Sequence, residues 1–128
     1  MFPEVSASIR RMEGQPTLFS ARPTRLSLQQ LDIATDAPKS VSINVWRNHA
    51  FEAVASLAQP YFSFGGWQVQ FHYKDYDDSL MFAGHEPADL ELLWLDSSRY
   101  MDNTDFNAWS EWLGSRLGVL RSATKAPI

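Results

Sequence analysis

Apolar and polar residues follow two different periods in the part of the chain that begins at Val41. Residues 41–46 and 67–73 each alternate apolar and polar side chains, which is typical of strands that bury one face. Residues 90–95 form a nearly continuous apolar run, which is typical of a strand covered on both faces. The pattern therefore predicts three β-strands.

Two other segments carry apolar residues at the three- and four-residue spacing of an amphipathic helix. The first covers residues 50–59, and we expect Pro60 to kink it or end it because proline has no backbone N–H to donate. The second covers residues 104–122, and Asn103 or Thr104 can cap its start. Its apolar stripe is expected to face the sheet.

Strands that alternate with helices build a parallel sheet with helices on both faces. We therefore predict an α/β fold with a three-layer, doubly wound parallel sheet of the flavodoxin or SGNH type. The alternating strand at residues 67–73 suits an edge, so the predicted strand order is 2-1-3. Because another strand should begin near residue 125, we expect the sheet to be incomplete at the C-terminus. Self-association through the exposed edge of residues 90–95 would follow.

Residues 1–40 differ from the rest because they contain several prolines and little apolar periodicity. Their regular apolar positions are Leu26, Leu28, Leu31 and Ile33, which suggest one short strand or helical turn. We interpret residues 1–40 as an N-terminal extension or linker. Residues 41–128 are then the front half of an SGNH-like α/β domain.

Composition narrows the classes of function. The chain has 128 residues and no cysteine, which excludes disulfides and thiolate chemistry. Its net charge is −4, but residues 75–111 hold ten acidic side chains against Arg99 alone, a net of −9. Without a cluster of Lys and Arg, we expect no nucleic-acid partner. Without 18 consecutive apolar residues, we expect no membrane partner and a cytoplasmic location.

Three segments together resemble a known family. They are SINVWRNHAFE at residues 42–52, QVQFHYKDY at residues 68–76 and PADLELLWLD at residues 87–96. This pattern is similar to the N-terminal SGNH-hydrolase-like domain of FkbH-like proteins, which belong to subfamily IIIC of the haloacid-dehalogenase superfamily. The resemblance implies a domain placed ahead of a phosphatase-like catalytic domain, in polyketide or other secondary metabolism.

The chain departs from that family at the positions that carry catalysis. The first turn, where an SGNH hydrolase has its nucleophilic serine, contains Asn48 and His49. The turn after the third strand, which is Gly-x-Asn-Asp in the enzymes, is Asp-Ser-Ser-Arg at residues 96–99. The resemblance therefore implies a non-catalytic or incomplete domain. It would bind or position an acyl substrate, or the acyl carrier protein that bears it, for the neighbouring catalytic domain.

A ligand of a doubly wound fold is expected at the carboxyl ends of the parallel strands. Asn48 and Asp96 would be its hydrogen-bonding groups, and His49 and Arg99 its cations. We predict no catalytic residue with confidence in the isolated chain.

Two alternatives remain open. The first is an esterase-like SGNH hydrolase fragment that uses Ser97 or Ser98 with a histidine from elsewhere. The second is another doubly wound ligand-binding module, such as a receiver or a cobalamin-binding domain. No metal and no cofactor is predicted, since His49, His72 and His85 do not stand at a spacing known for metal ligands.

Overall fold

The computed structural model describes residues 3–33, 37–76, 79–101 and 105–128. Its helices and strands are, in order, α1 Pro3–Leu18, α2 Arg25–Gln29, β1 Lys39–Arg47, α3 Glu52–Phe64, β2 Trp67–Tyr73, β3 Leu90–Trp94 and α4 Phe106–Ala123. The three strands form an all-parallel sheet in the order β2-β1-β3, with flanking helices. This confirms the predicted α/β fold and strand order. Within the described residues, no helix has both the length and the apolar character needed to cross a membrane.

β1 is the central strand, and its residues 43–46 are all buried. It pairs in parallel with β3 in a register that runs from Ile43 opposite Leu90 to Arg47 opposite Trp94. Parallel strands covered on both sides are normally apolar. β1 departs from this rule at Asn44, which is 1% exposed.

α3 continues through Pro60 to Phe64, so the expectation that the helix ends at Pro60 is wrong, whereas the alternative of a kink there stays a prediction. Proline removes one backbone hydrogen bond from a helix, and here its ring is buried, so packing offsets that loss. The helix stops at two glycines instead. Gly66 has a φ of 83°, the left-handed conformation that commonly ends helices and that glycine adopts without strain.

α4 begins two residues later than the pattern predicts. Its N-cap is Asp105, whose side chain accepts a hydrogen bond from the backbone N–H of Ala108 at 2.8 Å. The predicted caps Asn103 and Thr104 lie outside the described residues. On the inner side of α4, Leu120 is completely buried.

The chain divides into two compact units. The first consists of Met1–Val41 and Glu52–Gln70. It contains α1, which the sequence pattern did not predict. Gly14 of α1 packs so closely that an added Cβ would lie 2.9 Å from Cδ1 of Ile33. The hydroxyl of Tyr61 donates to the backbone oxygen of Leu18 at 2.8 Å and so ties α3 to the end of α1.

The second unit consists of Ser42–Phe51 and Phe71–Ile128. Its core contains Trp46, Leu80, Phe82 and Leu120. The outer edge of β3 is not wholly open, because the N–H of Glu91 donates to the backbone oxygen of Pro127 at 2.9 Å. The segment that follows α4 thus lies beside β3, where a further strand was expected to begin.

Candidate functional site

The carboxyl ends of β1 and β3 bring together the two turns that the sequence singled out. Asn48, immediately after β1, donates from Nδ2 to the backbone oxygen of Asp96 at 2.8 Å. Its Oδ1 accepts from the backbone N–H of Asp96 at 2.7 Å. Asn48 is only 5% exposed, so this reciprocal pair is shielded from water. The amide therefore clamps the two strand ends together, and its main role is structural.

The clamp also fixes the protonation pattern of His49. The amide of Asn48 cannot be reversed, because reversal would set its oxygen against the carbonyl oxygen of Asp96. Nδ1 of His49 lies 2.9 Å from Oδ1 of Asn48, and an amide oxygen can only accept. Nδ1 must therefore carry the hydrogen. His49 also stacks on Trp94 with ring centroids 5.3 Å apart.

Nε2 is consequently the nitrogen of His49 that is left for a ligand. Among the described residues, no hydrogen bond reaches it. In the neutral ring Nε2 presents a lone pair, and in the cation it presents an N–H. A half-buried histidine fixed on one side by an amide and on one face by a tryptophan is suited to recognition by this single atom.

The second turn is organised by the carboxylate of Asp96. Its Oδ1 accepts from the hydroxyl of Ser98 at 2.6 Å and from the backbone N–H of Ser98 at 3.0 Å. The two Ser98 hydrogen bonds, with smaller contributions from the charges of Arg99 and His49, hold the pKa of Asp96 below its usual range. The guanidinium of Arg99 lies 3.6 Å from Oδ2, and its side chain is 55% exposed. Arg99 is therefore accessible to a ligand.

These contacts bear on the two candidate nucleophiles. The hydroxyl of Ser98 donates a hydrogen bond to the carboxylate of Asp96. A carboxylate whose pKa is lowered is a poor general base, so Asp96 is not suited to activate Ser98. Ser97 is exposed, and its backbone oxygen accepts from the N–H of Tyr100 at 3.0 Å.

Tyr100 belongs to the same cluster, although sequence reasoning missed it. Burial raises the pKa of its hydroxyl, against the opposing effects of a hydrogen bond with Asn48 and of the charge of Arg99. The ring packs on Trp112 of α4 with centroids 5.3 Å apart. The only signal in the sequence was an aromatic residue directly after the Asp-Ser-Ser-Arg turn, which by itself indicates no contact with Asn48.

The loop at residues 75–79, which follows the carboxyl end of β2, is described only in part. Asp75 is exposed, whereas Asp77 and Asp78 lie outside the described residues. Beside this loop the guanidinium of Arg47 lies over the rings of Tyr73 and Tyr76, at 4.6 and 4.9 Å from their centroids. Arg47 therefore adds a third cation to this end of the sheet, held against aromatic rings.

The two remaining histidines have separate surroundings. His72 is exposed on β2, and His85 is hydrogen-bonded to the buried carboxylate of Glu91. In the part of the chain that the structure describes, no group of three or more His, Asp or Glu side chains is placed to hold a metal ion.

At the carboxyl ends of the strands, Asn48 and Asp96 hold the two turns through hydrogen bonds. Nε2 of His49 and the guanidiniums of Arg99 and Arg47 lie at the same end of the sheet. No protein-family model, curated protein or solved structure matches this chain, so its function has to be inferred from this geometry.

Proposed function

We propose that this chain is a non-catalytic SGNH-like module that binds or positions an acyl substrate. The acyl group would be free or attached to a carrier protein, and would serve a neighbouring catalytic domain of the FkbH-like kind. The observation that carries the proposal is the Asn48 clamp. It fills the turn where an SGNH hydrolase needs its nucleophile, and it fixes His49 with one ring nitrogen that no described residue bonds.

The recognition chemistry follows from the two remaining groups. An acyl carbonyl or a phosphate oxygen accepts hydrogen bonds from a guanidinium, and Arg99 is the exposed guanidinium at this edge. Nε2 of His49 accepts from a hydroxyl or thiol when neutral and donates to an oxygen when protonated. The acidic residues around the edge would disfavour a bare anion, so a neutral acyl thioester fits better than a free carboxylate.

The test is an NMR titration with S-acetyl-N-acetylcysteamine, a small acyl thioester. We expect chemical-shift changes at His49 and Arg99. We also expect His49→Gln and Arg99→Gln each to weaken binding about tenfold, the loss of one hydrogen bond to a charged or polar group. His72→Gln is the matched control, since His72 is an exposed histidine on β2. Shift changes that map elsewhere, or no binding, would contradict the proposal.

The esterase alternative has one observation in its favour, which is the 2.6 Å contact between the Ser98 hydroxyl and the Asp96 carboxylate. We expect no hydrolysis of p-nitrophenyl acetate above background, because that carboxylate is a weak base. Turnover that disappears in Ser98→Ala but persists in Ser97→Ala would establish the hydrolase instead.

A further inference from the structure

In its described residues, the connection from β2 to β3 reaches the far side of β1 without an α-helix. Among residues 74–76 and 79–89, its only helical element is the 3₁₀ turn Ser79–Met81. Parallel strands are normally joined through a helix, which satisfies its own backbone and buries an apolar stripe. Here single side chains have to hold the connection against the sheet. Leu80 and Phe82 do this by packing in the core with Trp46.

The polar part of this attachment centres on Glu91, whose side chain is fully buried. Oε1 accepts from Nε2 of His85 at 2.6 Å and from Nδ2 of Asn44 at 3.2 Å. Oε2 accepts from the indole N–H of Trp46 at 2.7 Å. Asn44 uses its second hydrogen to hold the backbone oxygen of Glu86 at 2.8 Å. Glu91 therefore joins the connection to β1 through three donors.

The same stretch contains unusual backbone. Phe82 has a φ of 55°, and it is the only residue other than glycine with a positive φ among the described residues. For a bulky side chain this conformation is strained, and it persists only where the surroundings enforce it. Phe82 is 6% exposed and packs edge-on against Trp46, with ring centroids 4.8 Å apart. Packing thus holds the connection on the sheet although the backbone of Phe82 is strained.

We propose that Glu91 and His85 form a proton-controlled latch that holds residues 80–89 on the sheet. Three donors point at the Glu91 carboxylate, which as an anion accepts all three. When both ring nitrogens of His85 carry a hydrogen, protonation of Glu91 from solvent adds a fourth hydrogen to a buried site that contains only donors. One hydrogen then has no acceptor, the attachment weakens, and the strain at Phe82 favours release. The latch is closed while Glu91 is ionised and opens when Glu91 takes up a proton.

The other charged groups that face this pair in the described residues are few. Nζ of Lys74 lies 5.2 Å from the centroid of the Trp46 ring. From α4, Arg116 donates to the backbone oxygen of Leu80 at 2.7 Å and lies over Phe82. The side chain of Glu86 is exposed. Lys74 therefore contacts an aromatic ring and Arg116 a backbone oxygen, and neither is bonded to the Glu91 carboxylate.

The test is amide hydrogen exchange followed by NMR between neutral and acid pH, corrected for the intrinsic pH dependence of exchange. In the wild-type chain we expect the amides of residues 80–86 and the indole N–H of Trp46 to lose at least tenfold protection on acidification. The amide of Val45 in the central strand should stay protected, which separates release of the connection from global unfolding.

Variants make the assignment specific. Glu91→Gln places two more N–H groups among the donors, so residues 80–86 should exchange at least tenfold faster already at neutral pH, with no further acid-induced change. His72→Gln should behave like the wild type. If Glu91→Gln does not fold, the wild-type pH series decides alone. Unchanged protection of residues 80–86 in acid, or loss of Val45 protection in step with theirs, would overturn the proposal.

Discussion

At the scale of single residues, the arrangement of the turns at the carboxyl ends of β1 and β3 depends on Asn48 more than on any charged group. Its side chain satisfies both backbone groups of Asp96 and also orients His49. A buried polar group that uses all its hydrogen-bonding capacity fixes one geometry, whereas an unsatisfied one costs free energy. Removing Asn48 therefore has two consequences, one for stability and one for the ring of His49.

We predict that Asn48→Ala lowers the free energy of unfolding by about 1–3 kcal/mol, since it leaves the N–H and the oxygen of Asp96 without partners in a shielded position. Urea denaturation followed by circular dichroism measures this loss. Asn107→Ala is the matched control, because Asn107 is an exposed asparagine in the first turn of α4. A loss in Asn48→Ala no larger than in the control would show that the clamp is unimportant.

A second prediction concerns the acid titration of Asp96. Ser98→Ala removes the largest cause of its lowered pKa, so the pKa should rise toward the ordinary value of 3.8. A carboxyl with a lowered pKa adds stability above its unfolded-state pKa, and that contribution is lost as pH falls through the folded-state pKa. The variant should therefore lose this contribution at a higher pH than the wild type.

Carbon-detected NMR of the Asp96 carboxyl measures the pKa directly. Ser97→Ala is the control, since the hydroxyl of Ser97 makes no hydrogen bond with Asp96 in the structure. An equal rise in both variants would mean that Ser98 has no special role.

At the scale of secondary-structure elements, α4 contributes to the core although its sequence is not optimal for a helix. It supplies Leu113 and Leu120 to the core around Trp46, yet it contains Gly114 and Gly118 in its interior. A Cβ added at either glycine would meet no atom within 4 Å. Glycine inside a helix costs conformational entropy without any packing benefit at these positions.

We predict that Gly118→Ala raises the free energy of unfolding by about 0.5–1 kcal/mol. Gly66→Ala should instead lower it by about 1–2 kcal/mol, because Gly66 has a φ of 83° that alanine adopts only with strain. Thermal unfolding of both variants beside the wild type measures the two shifts. Shifts of the same sign would contradict the backbone argument.

At the scale of the whole molecule, we expect the sheet edge at β3 to govern association. The backbone N–H and C=O groups of successive strand residues point to opposite sides. Those of Trp94 point toward β1, whereas those of Glu91 point away from it. The backbone groups of Leu93 therefore point away from β1 as well. Among bonds between described residues, Glu91 to Pro127 is the one that covers this edge. Arg121 holds the covering segment by donating to the backbone oxygens of Thr124 and Ala126.

We predict that a protein of these 128 residues self-associates, and that Arg121→Gln strengthens the association by freeing the segment that covers Glu91. Lys125→Gln removes the same charge without removing those hydrogen bonds, so it is the matched control. Light scattering across a range of concentrations measures the effect. Equal association of the two variants would show that the β3 edge is not the surface through which the chains associate. Added salt should favour association in all three proteins, because it screens the net negative charge.

The sequence by itself determined the three strands, the helices α3 and α4, and the order of the sheet. These follow from local periodicity, since alternation at residues 67–73 and a continuous apolar run at residues 90–95 each reflect how many faces of a strand are covered. It also placed Asn48, His49, Asp96 and Arg99 at one edge, because parallel strands end on the same side of a sheet.

Only the tertiary structure decided which hydrogen bonds these polar residues make. In sequence, Asn48 is a polar residue directly after a predicted strand and Glu91 a polar residue within one, but their partners lie more than 40 residues away in the chain or in a loop with no periodic signal. The same holds for the passage of α3 through Pro60, where burial of the proline outweighs the weak local preference for a helix. Periodicity records the average environment of an element, whereas hydrogen-bond partners depend on contacts that form only when distant segments meet.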